Sequence, residues 1–325
     1  MSQSAPEVFV PEPERSSEEP EARPRYGLAL VLFALTCVST TFAGAMGGGS
    51  LAEGFKFSVP LMAILLAHEF GHYIAARIHR VPASLPYFVP FPWPPLGTMG
   101  AVILMRGRIK DRNALLDIGA AGPLAGLAVA LPVLAYGILE SEVKPPPAIE
   151  GFYTQEGHSL LYLLMLRVLK GEFPEGYDIW LSPTAFAGWA GLFVTMLNLI
   201  PALQLDGGHV AYALFGERYH KISRALRRAL LPFAAAVGLI YGLSAYQAGA
   251  RGDALWGQLM PASQWFVWWL LLSFMARGGG PEHPPTDPSV LSPARRVIAF
   301  ATLALFVLLF MPAWLRAVPA PGPSG

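Results

Sequence analysis

An all-α polytopic membrane protein is the fold class that this sequence predicts. Of its 325 residues, 54% are hydrophobic and only 14% are charged, and the mean hydropathy is +0.44. Soluble domains carry about 25% charged residues, so the composition argues against an ordinary water-soluble globule. The net charge of +1 gives no support for nucleic-acid binding, and the single cysteine excludes both an intrachain disulfide and a cysteine-rich zinc module.

Seven apolar segments have about the length that a membrane helix needs, which is roughly 20 residues. The sixth is short and aromatic, so it could instead lie at the membrane interface, and the prediction is about six to seven transmembrane helices. The segments are 26–46, 57–78, 114–138, 183–202, 229–247, 262–276 and 295–312.

The second apolar segment contains His-Glu-Phe-Gly-His at 68–72. On a helix, this spacing puts the imidazoles of His68 and His72 on one face, where both can reach one Zn²⁺. Glu69 then lies beside the metal and can take a proton from an attacking water molecule. An ionisable side chain at bilayer depth costs about 2.5–3.5 kcal/mol on insertion scales, so three such groups within five residues indicate metal chemistry within the membrane.

A second motif, Asn198 to Gly208, ends the fourth segment. Two histidines leave a catalytic zinc site one protein ligand short, and the carboxylate of Asp206 can supply that ligand. Taken alone, Asp206-Gly207-Gly208 would indicate a turn that ends a helix; beside the paired histidines, the metal-ligand interpretation is favoured.

Together the two motifs resemble those of the site-2 protease family of intramembrane zinc metalloproteases, in a branch without a PDZ domain, because loop 139–182 is too short for one. The resemblance covers roughly residues 57–210 and implies His68, His72 and Asp206 as zinc ligands and Glu69 as the catalytic base. The remaining five histidines are not expected to be ligands, and the glycines at 119, 122 and 126 are expected to let the third span approach the zinc helix.

The loops predict the orientation. Arg and Lys are frequent in 77–113, 203–228 and 277–294, whereas 139–182 is net acidic. Basic loops remain in the cytoplasm, so these three loops and the N-terminus are predicted to be cytoplasmic. This predicts a multi-pass protein of a bacterial cytoplasmic membrane, with its active site toward the cytoplasm.

A membrane-embedded loop or hairpin is predicted at 83–105, where prolines and glycines forbid a helix and Ala101–Met105 is typical of a short strand. It could offer an edge to an extended substrate by strand addition, or it could only pack on the bundle. Asn198 could bind substrate backbone or bond another helix. The predicted substrate-binding residues are Asn198, Pro201, Gly100 and Val102.

The predicted function is that of a zinc endopeptidase that hydrolyses peptide bonds in or near transmembrane segments of membrane proteins, as in regulated intramembrane proteolysis. A catalytically silent adaptor or a metal-binding transporter of related fold is the alternative, although no predicted ligand is lost and the other spans are nearly bare of acidic residues and histidine.

The predicted regions are a disordered acidic tail (1–25), a first span with its loop (26–56), the catalytic membrane core (57–210), C-terminal spans (211–312) and a short tail (313–325). Because only 13 residues follow the last predicted span, no C-terminal regulatory domain is expected.

Overall fold

The computed structural model describes residues 26–320 apart from 94, 106–108, 110, 148–151, 248, 278–282, 285 and 288, so the predicted tail at 1–25 lies outside it. The described chain is mostly helical. Its α-helices are α1 (Tyr26–Gly48), α2 (Leu51–Ile78), α3 (Arg112–Glu140), α4 (Leu160–Lys170), α5 (Pro183–Asn198), α6 (Asp206–Phe215), α7 (Tyr219–Gln247), α8 (Asp253–Gly257), α9 (Met260–Arg277) and α10 (Pro293–Leu309).

Four stretches of helix within the described residues are long and apolar enough to cross a membrane. They are Tyr26–Met46, Leu51–Ile78, Arg112–Glu140 and the continuous stretch Asp206–Gln247, which joins α6 and α7 through a single 3-10 turn. Helices α5, α9 and α10 coincide with predicted apolar segments but have only 16, 18 and 17 residues. The chain is therefore a helical membrane protein, and the total of six to seven spans stays a prediction.

Helices α2, α3 and α5 form the centre of the bundle and approach one another through small residues. A Cβ atom added to Gly71 would lie 2.5 Å from the carbonyl oxygen of Ala121 on α3, and one added to Gly188 would lie 2.6 Å from the Cα of Leu134. Both distances are shorter than real contacts, so only glycine fits there. Within a bilayer, close contact of this kind is what holds helices together, because the lipid is as apolar as the side chains.

Six short strands, β1 to β6, pair into three antiparallel two-stranded sheets within the described residues. Strand β1 (Tyr87–Pro90) pairs with β2 (Thr98–Val102), β3 (Glu142–Lys144) with β5 (Asp178–Trp180), and β4 (Phe152–Glu156) with β6 (Leu315–Pro319). The predicted tail at 313–325 therefore contains a strand.

The β1–β2 hairpin confirms that 83–105 is not helical, but its second strand begins earlier than predicted. Instead of covering Ala101–Met105, regular pairing ends at Val102, and Met105 forms an isolated bridge with Ala83. The pairing also contains a shift in register between Phe88 and Pro90, opposite Gly100, whose φ of +89° suits a residue without a Cβ.

The turn of the hairpin lies against α1. The hydroxyl of Ser39 donates to the carbonyl of Gly97 at 2.6 Å, and a Cβ at position 97 would lie 2.6 Å from the backbone of Thr40. At the other end, Met105 packs against Ala75, Ala76 and Ile118 of α2 and α3. The hairpin thus runs alongside the first three helices.

The two ends of the bundle differ in charge. At the end where α2 finishes and α3 begins, called the basic face here, Asp117 accepts two hydrogen bonds from Arg295 of α10, at 2.9 and 2.6 Å, and lies 2.8 Å from the Nε2 atom of His79. This paired geometry ties three helices together. At the opposite end, called the acidic face here, α1 finishes, α2 begins, and strands β3 to β5 follow α3.

Candidate metal centre

Helix α2 brings His68 and His72 to one buried position. The two side chains lie one turn apart, and the residues are only 4% and 7% exposed. Their Nε2 atoms are 3.2 Å apart. Glu69, the next residue on this turn, interacts electrostatically with both histidines and with Asp206.

Asp206 completes the group, although about 134 residues separate it from His72. Its Oδ2 atom lies 3.2 Å from the Nε2 of His68 and 3.3 Å from the Nε2 of His72. In the described part of the chain, these three residues are the group of His, Cys, Asp or Glu side chains whose atoms lie close enough to share one metal ion.

The connection between α5 and α6 fixes the position of Asp206. The backbone turns at Leu203, which has a positive φ of 51°. Helix α7 holds Leu203 in place. The hydroxyl of Tyr219 donates to the carbonyl of Leu203 at 2.6 Å, and the amide of Leu203 donates to the hydroxyl of Ser223 at 3.1 Å. A Cβ at Gly207 would lie 2.0 Å from the carbonyl oxygen of Leu199, so the Asp-Gly-Gly sequence allows a close turn. Asp206 therefore begins a helix, where the sequence alone would have suggested a helix end.

The geometry of the group fits a zinc ion. Tetrahedral zinc with ligand bonds of about 2.0–2.1 Å separates its ligand atoms by about 3.3 Å, close to the distances of 3.2 and 3.3 Å found here. The Nδ1 atom of His72 lies 2.8 Å from the carbonyl oxygen of Ile118, which can only accept, so Nδ1 carries the proton. In the neutral ring, Nε2 then directs a lone pair at a carboxylate oxygen, an arrangement that a cation stabilises.

Glycine residues of α3 leave room for this group. A Cβ atom at Gly122 would lie 2.0 Å from the Nε2 of His72, and one at Gly126 would lie 3.1 Å from the Cβ of His68. The glycines at 122 and 126 do more than allow helix packing, since a side chain at 122 would overlap the imidazole of His72.

The four predicted substrate-binding residues lie in two places. Asn198 is at the site, with its Nδ2 atom 3.3 Å from the Nε2 of His68, and Pro201 lies half-buried in the turn that follows α5. Gly100 and Val102 lie in β2, and the side chain of Val102 is exposed.

The structure brings together two of the five histidines that are not expected to be ligands. His209 lies in α6, and its Nδ1 atom is 2.8 Å from the Nε2 of His283. His283 is buried and stacks on Tyr212, with ring centroids 4.2 Å apart. The contacts of His283 with His209 and with Tyr212 hold α6 in place next to Asp206. The pair is 74 residues apart in sequence, with no shared motif to connect them.

Replacing Asp206 with alanine is expected to weaken zinc binding by at least about 100-fold, because a direct ligand matters at least as much as a supporting residue. Zinc content of purified protein, measured after dialysis against a graded chelator, tests this. Asp287→Ala removes an exposed carboxylate and should leave zinc affinity unchanged. Equal zinc retention in both variants would exclude Asp206 as a ligand.

The distances, the donor set and the surrounding apolar helices define a metallopeptidase-type metal centre inside a membrane protein. The family model described as Peptidase family M50 matches residues 56–241, and the chain belongs to that family. This confirms the resemblance to the site-2 proteases.

Curated relatives agree with the family. The chain is 31% identical over 260 residues to the "probable zinc metalloprotease EGY1, chloroplastic" of Arabidopsis thaliana, covering 78% of this chain and 42% of that protein. It is 29% identical over 264 residues to the "probable zinc metalloprotease EGY2, chloroplastic" of Oryza sativa subsp. indica, covering 80% of this chain and 42% of that protein. It therefore spans less than half the length of these relatives. No solved structure matches. Zinc is the metal that the relatives' names and this donor set support.

Proposed function

We propose that this protein is a zinc endopeptidase that hydrolyses peptide bonds in or near the transmembrane segments of other membrane proteins. The observation that carries the proposal is the convergence of two imidazoles and one carboxylate, 3.2–3.3 Å apart, between helices that can cross a membrane. Three protein ligands leave one position of tetrahedral zinc open for water or substrate, which is typical of catalytic zinc and not of structural zinc.

Each residue of the site has a distinct task in this proposal. His68, His72 and Asp206 hold the metal, and the carbonyl of Ile118 fixes the orientation of His72. Glu69 takes a proton from the attacking water and passes it to the leaving amine. Zinc, when bound, supplies a Lewis acid that polarises the scissile carbonyl and lowers the pKa of water to about 7.

Hydrolysis of a transmembrane helix requires its local unwinding, because each backbone amide is bonded within the helix. The freed groups then need partners that lipid cannot offer. Strand β2 pairs only with β1 among the described strands, so its second edge is available to an extended chain. Met105, three residues beyond the end of β2, packs against the cluster that includes Ile118, whose carbonyl lies 2.8 Å from His72, so the chain that continues this strand leads to the level of the metal. Asn198 at the site offers a further donor and acceptor to the substrate backbone.

Proline at position 102 or 103 is expected to lower turnover at least tenfold in one of the two variants while zinc content stays normal. Backbone amides of an extended chain point alternately to its two edges. One of the substitutions, at the last residue of β2 or at the residue after it, therefore removes a donor from the free edge. Turnover of a membrane substrate and zinc content should be measured together, with Val102→Ala and Ile103→Ala as controls that keep the amide. Full activity in both proline variants would leave the hairpin only a packing role.

The orientation follows from charge. We place the basic face, and with it the site, toward the cytoplasm of a bacterium, since basic loops are retained there. The named relatives are plant proteins described as chloroplastic, which disagrees with a bacterial compartment. A transmembrane protein substrate within the lipid bilayer is the proposed partner.

A catalytically silent adaptor or a metal transporter would share much of this fold, and reconstitution separates the three functions. Purified protein in liposomes with a single-span polypeptide should give two fragments, with the new terminus inside or next to the span by mass spectrometry. Zinc uptake into vesicles without fragments would indicate a transporter. Binding of the polypeptide without fragments or uptake would indicate an adaptor.

A further inference from the structure

A large cleft opens at the acidic face, at the end of the bundle opposite to Asp206. Its volume is about 1250 Å³, and its walls come from the end of α1, the start of α2, the end of α3 with β3, strands β4 and β5, and the start of α5. Aromatic and aliphatic side chains line part of it, including Phe57, Phe186 and Leu181. The proposed chemistry does not use this cleft.

The cleft carries more negative than positive groups. Five carboxyl groups line it, those of Glu53, Glu140, Glu142, Glu156 and Asp178, against the two ammonium groups of Lys56 and Lys144. Lys144 already pairs with Glu142 at 3.1 Å. Within the described part of the chain, Glu53 and Glu140 form no salt bridge. The carboxylate of Glu140 accepts one hydrogen bond, from the hydroxyl of Tyr136 at 2.7 Å, and keeps its negative charge for a cation. Burial raises the pKa of Glu156, and the carboxyl of this residue accepts a hydrogen bond from Tyr162. Glu156 therefore lines the cleft without being one of the two carboxylates proposed to bind a cation.

The hairpin connects this cleft to the metal centre. Pro95, in the hairpin turn, lines the cleft, while Met105 at the far end packs against Ala75 and Ala76, just beyond His72. Eight residues of extended chain from Gly97 to Met105 cover about 26 Å at 3.3 Å each. Phe57, in the cleft wall, and Ala75 are 18 residues apart on α2, or about 27 Å at 1.5 Å each. Strand β2 itself covers Thr98–Val102, and the chain continues beyond it to the bridge at Met105, so this whole arm of the hairpin is long enough to span the distance from the cleft to the metal.

We propose that the acidic cleft binds the segment that flanks a substrate's transmembrane helix, in extended form and through a basic side chain held by Glu53 and Glu140. This inference rests on the proposed function. Glu53 and Phe57 lie 15 and 11 residues before His68 on α2, which corresponds to about 22 and 16 Å. An extended chain covers that distance in about five to seven residues. The basic residue therefore lies about five to seven positions from the scissile bond, on the side toward the acidic face.

The test uses full-length protein in liposomes with two single-span polypeptides that differ at one position. Each has a helix-weakening Asn-Gly pair in its span, and lysine or glutamate about six residues from the bond that mass spectrometry identifies as cleaved, toward the acidic face. Glu53 is half-buried and Glu140 is exposed, and ion pairs at such positions contribute about two- to fivefold each. The lysine polypeptide should therefore be cut with about tenfold higher kcat/KM than the glutamate polypeptide.

The preference for lysine should fall below about twofold in the double variant Glu53→Gln/Glu140→Gln. It should persist in Glu172→Gln, which removes a carboxylate that pairs with Arg167 in the same loop but does not line the cleft. Equal cleavage of both polypeptides by the native protein, or an undiminished preference in the double variant, would overturn the cleft assignment while the hydrolytic function stands. No cleavage of either polypeptide would overturn the proposed function, and the cleft assignment with it.

Discussion

Replacing Glu69 with glutamine is expected to lower the cleavage rate by about 100- to 10,000-fold, the contribution typical of a positioned general base. Glutamine keeps the shape of the side chain but cannot accept a proton from water at neutral pH. Glu69 is not one of the three converging ligands, so zinc content should stay at the native level. Cleavage of a single-span substrate in liposomes and zinc content of the same preparation test both parts.

Glu217→Gln is the matched control, because it makes the same chemical change at a carboxylate whose side chain is 81% exposed. It should cleave at the native rate. A Glu69→Gln protein that cleaves as fast as this control would show that another group takes the proton. Loss of zinc together with activity would instead place Glu69 among the groups that hold the metal.

Gly122→Ala is expected to abolish zinc binding and, with it, cleavage. The added Cβ would lie 2.0 Å from the Nε2 of His72, a distance at which no real contact occurs, and α3 and α2 would have to separate. Even partial separation would move His72 away from His68 and Asp206. Zinc stoichiometry, determined on protein that elutes as a single folded species, gives the result.

Gly188→Ala separates helix disruption from loss of the metal site. A Cβ there would lie 2.6 Å from the Cα of Leu134, so it forces α5 and α3 apart without touching a proposed ligand. Both variants should unfold more readily than the native protein, and only Gly122→Ala should lose its zinc. Native zinc content in folded Gly122→Ala protein would mean that the metal does not bind at the Nε2 of His72.

Local spacing explains which parts of the site could be predicted from sequence. His68 and His72 lie one turn apart on a helix, so their juxtaposition follows from helical geometry alone. Asp206 could be predicted as a ligand because a zinc ion needs a third one. Its position next to the histidines depends on the turn at Leu203 and on Tyr219, which no local sequence pattern specifies.

Long-range packing explains what sequence reasoning missed. The role of Gly122 depends on where α3 crosses α2, and the contact of His209 with His283 depends on a loop 74 residues away. Similarly, the strand begins at Thr98 and not at Ala101, and it includes the irregularity at Gly100, which apolar patterning does not reveal. The acidic cleft joins elements from α1 to α5, and the sequence shows only one sign of it, the net acidic character of loop 139–182.

The central claim is that one zinc ion at His68, His72 and Asp206 supports peptide-bond hydrolysis in the membrane. The most direct test is to add zinc stepwise to metal-free protein in liposomes and to follow cleavage of a single-span polypeptide. The account predicts no cleavage without zinc and a linear rise that ends at about one equivalent per chain, as expected for one tightly held catalytic ion. Cleavage by the metal-free protein, or zinc bound without any cleavage, would contradict it.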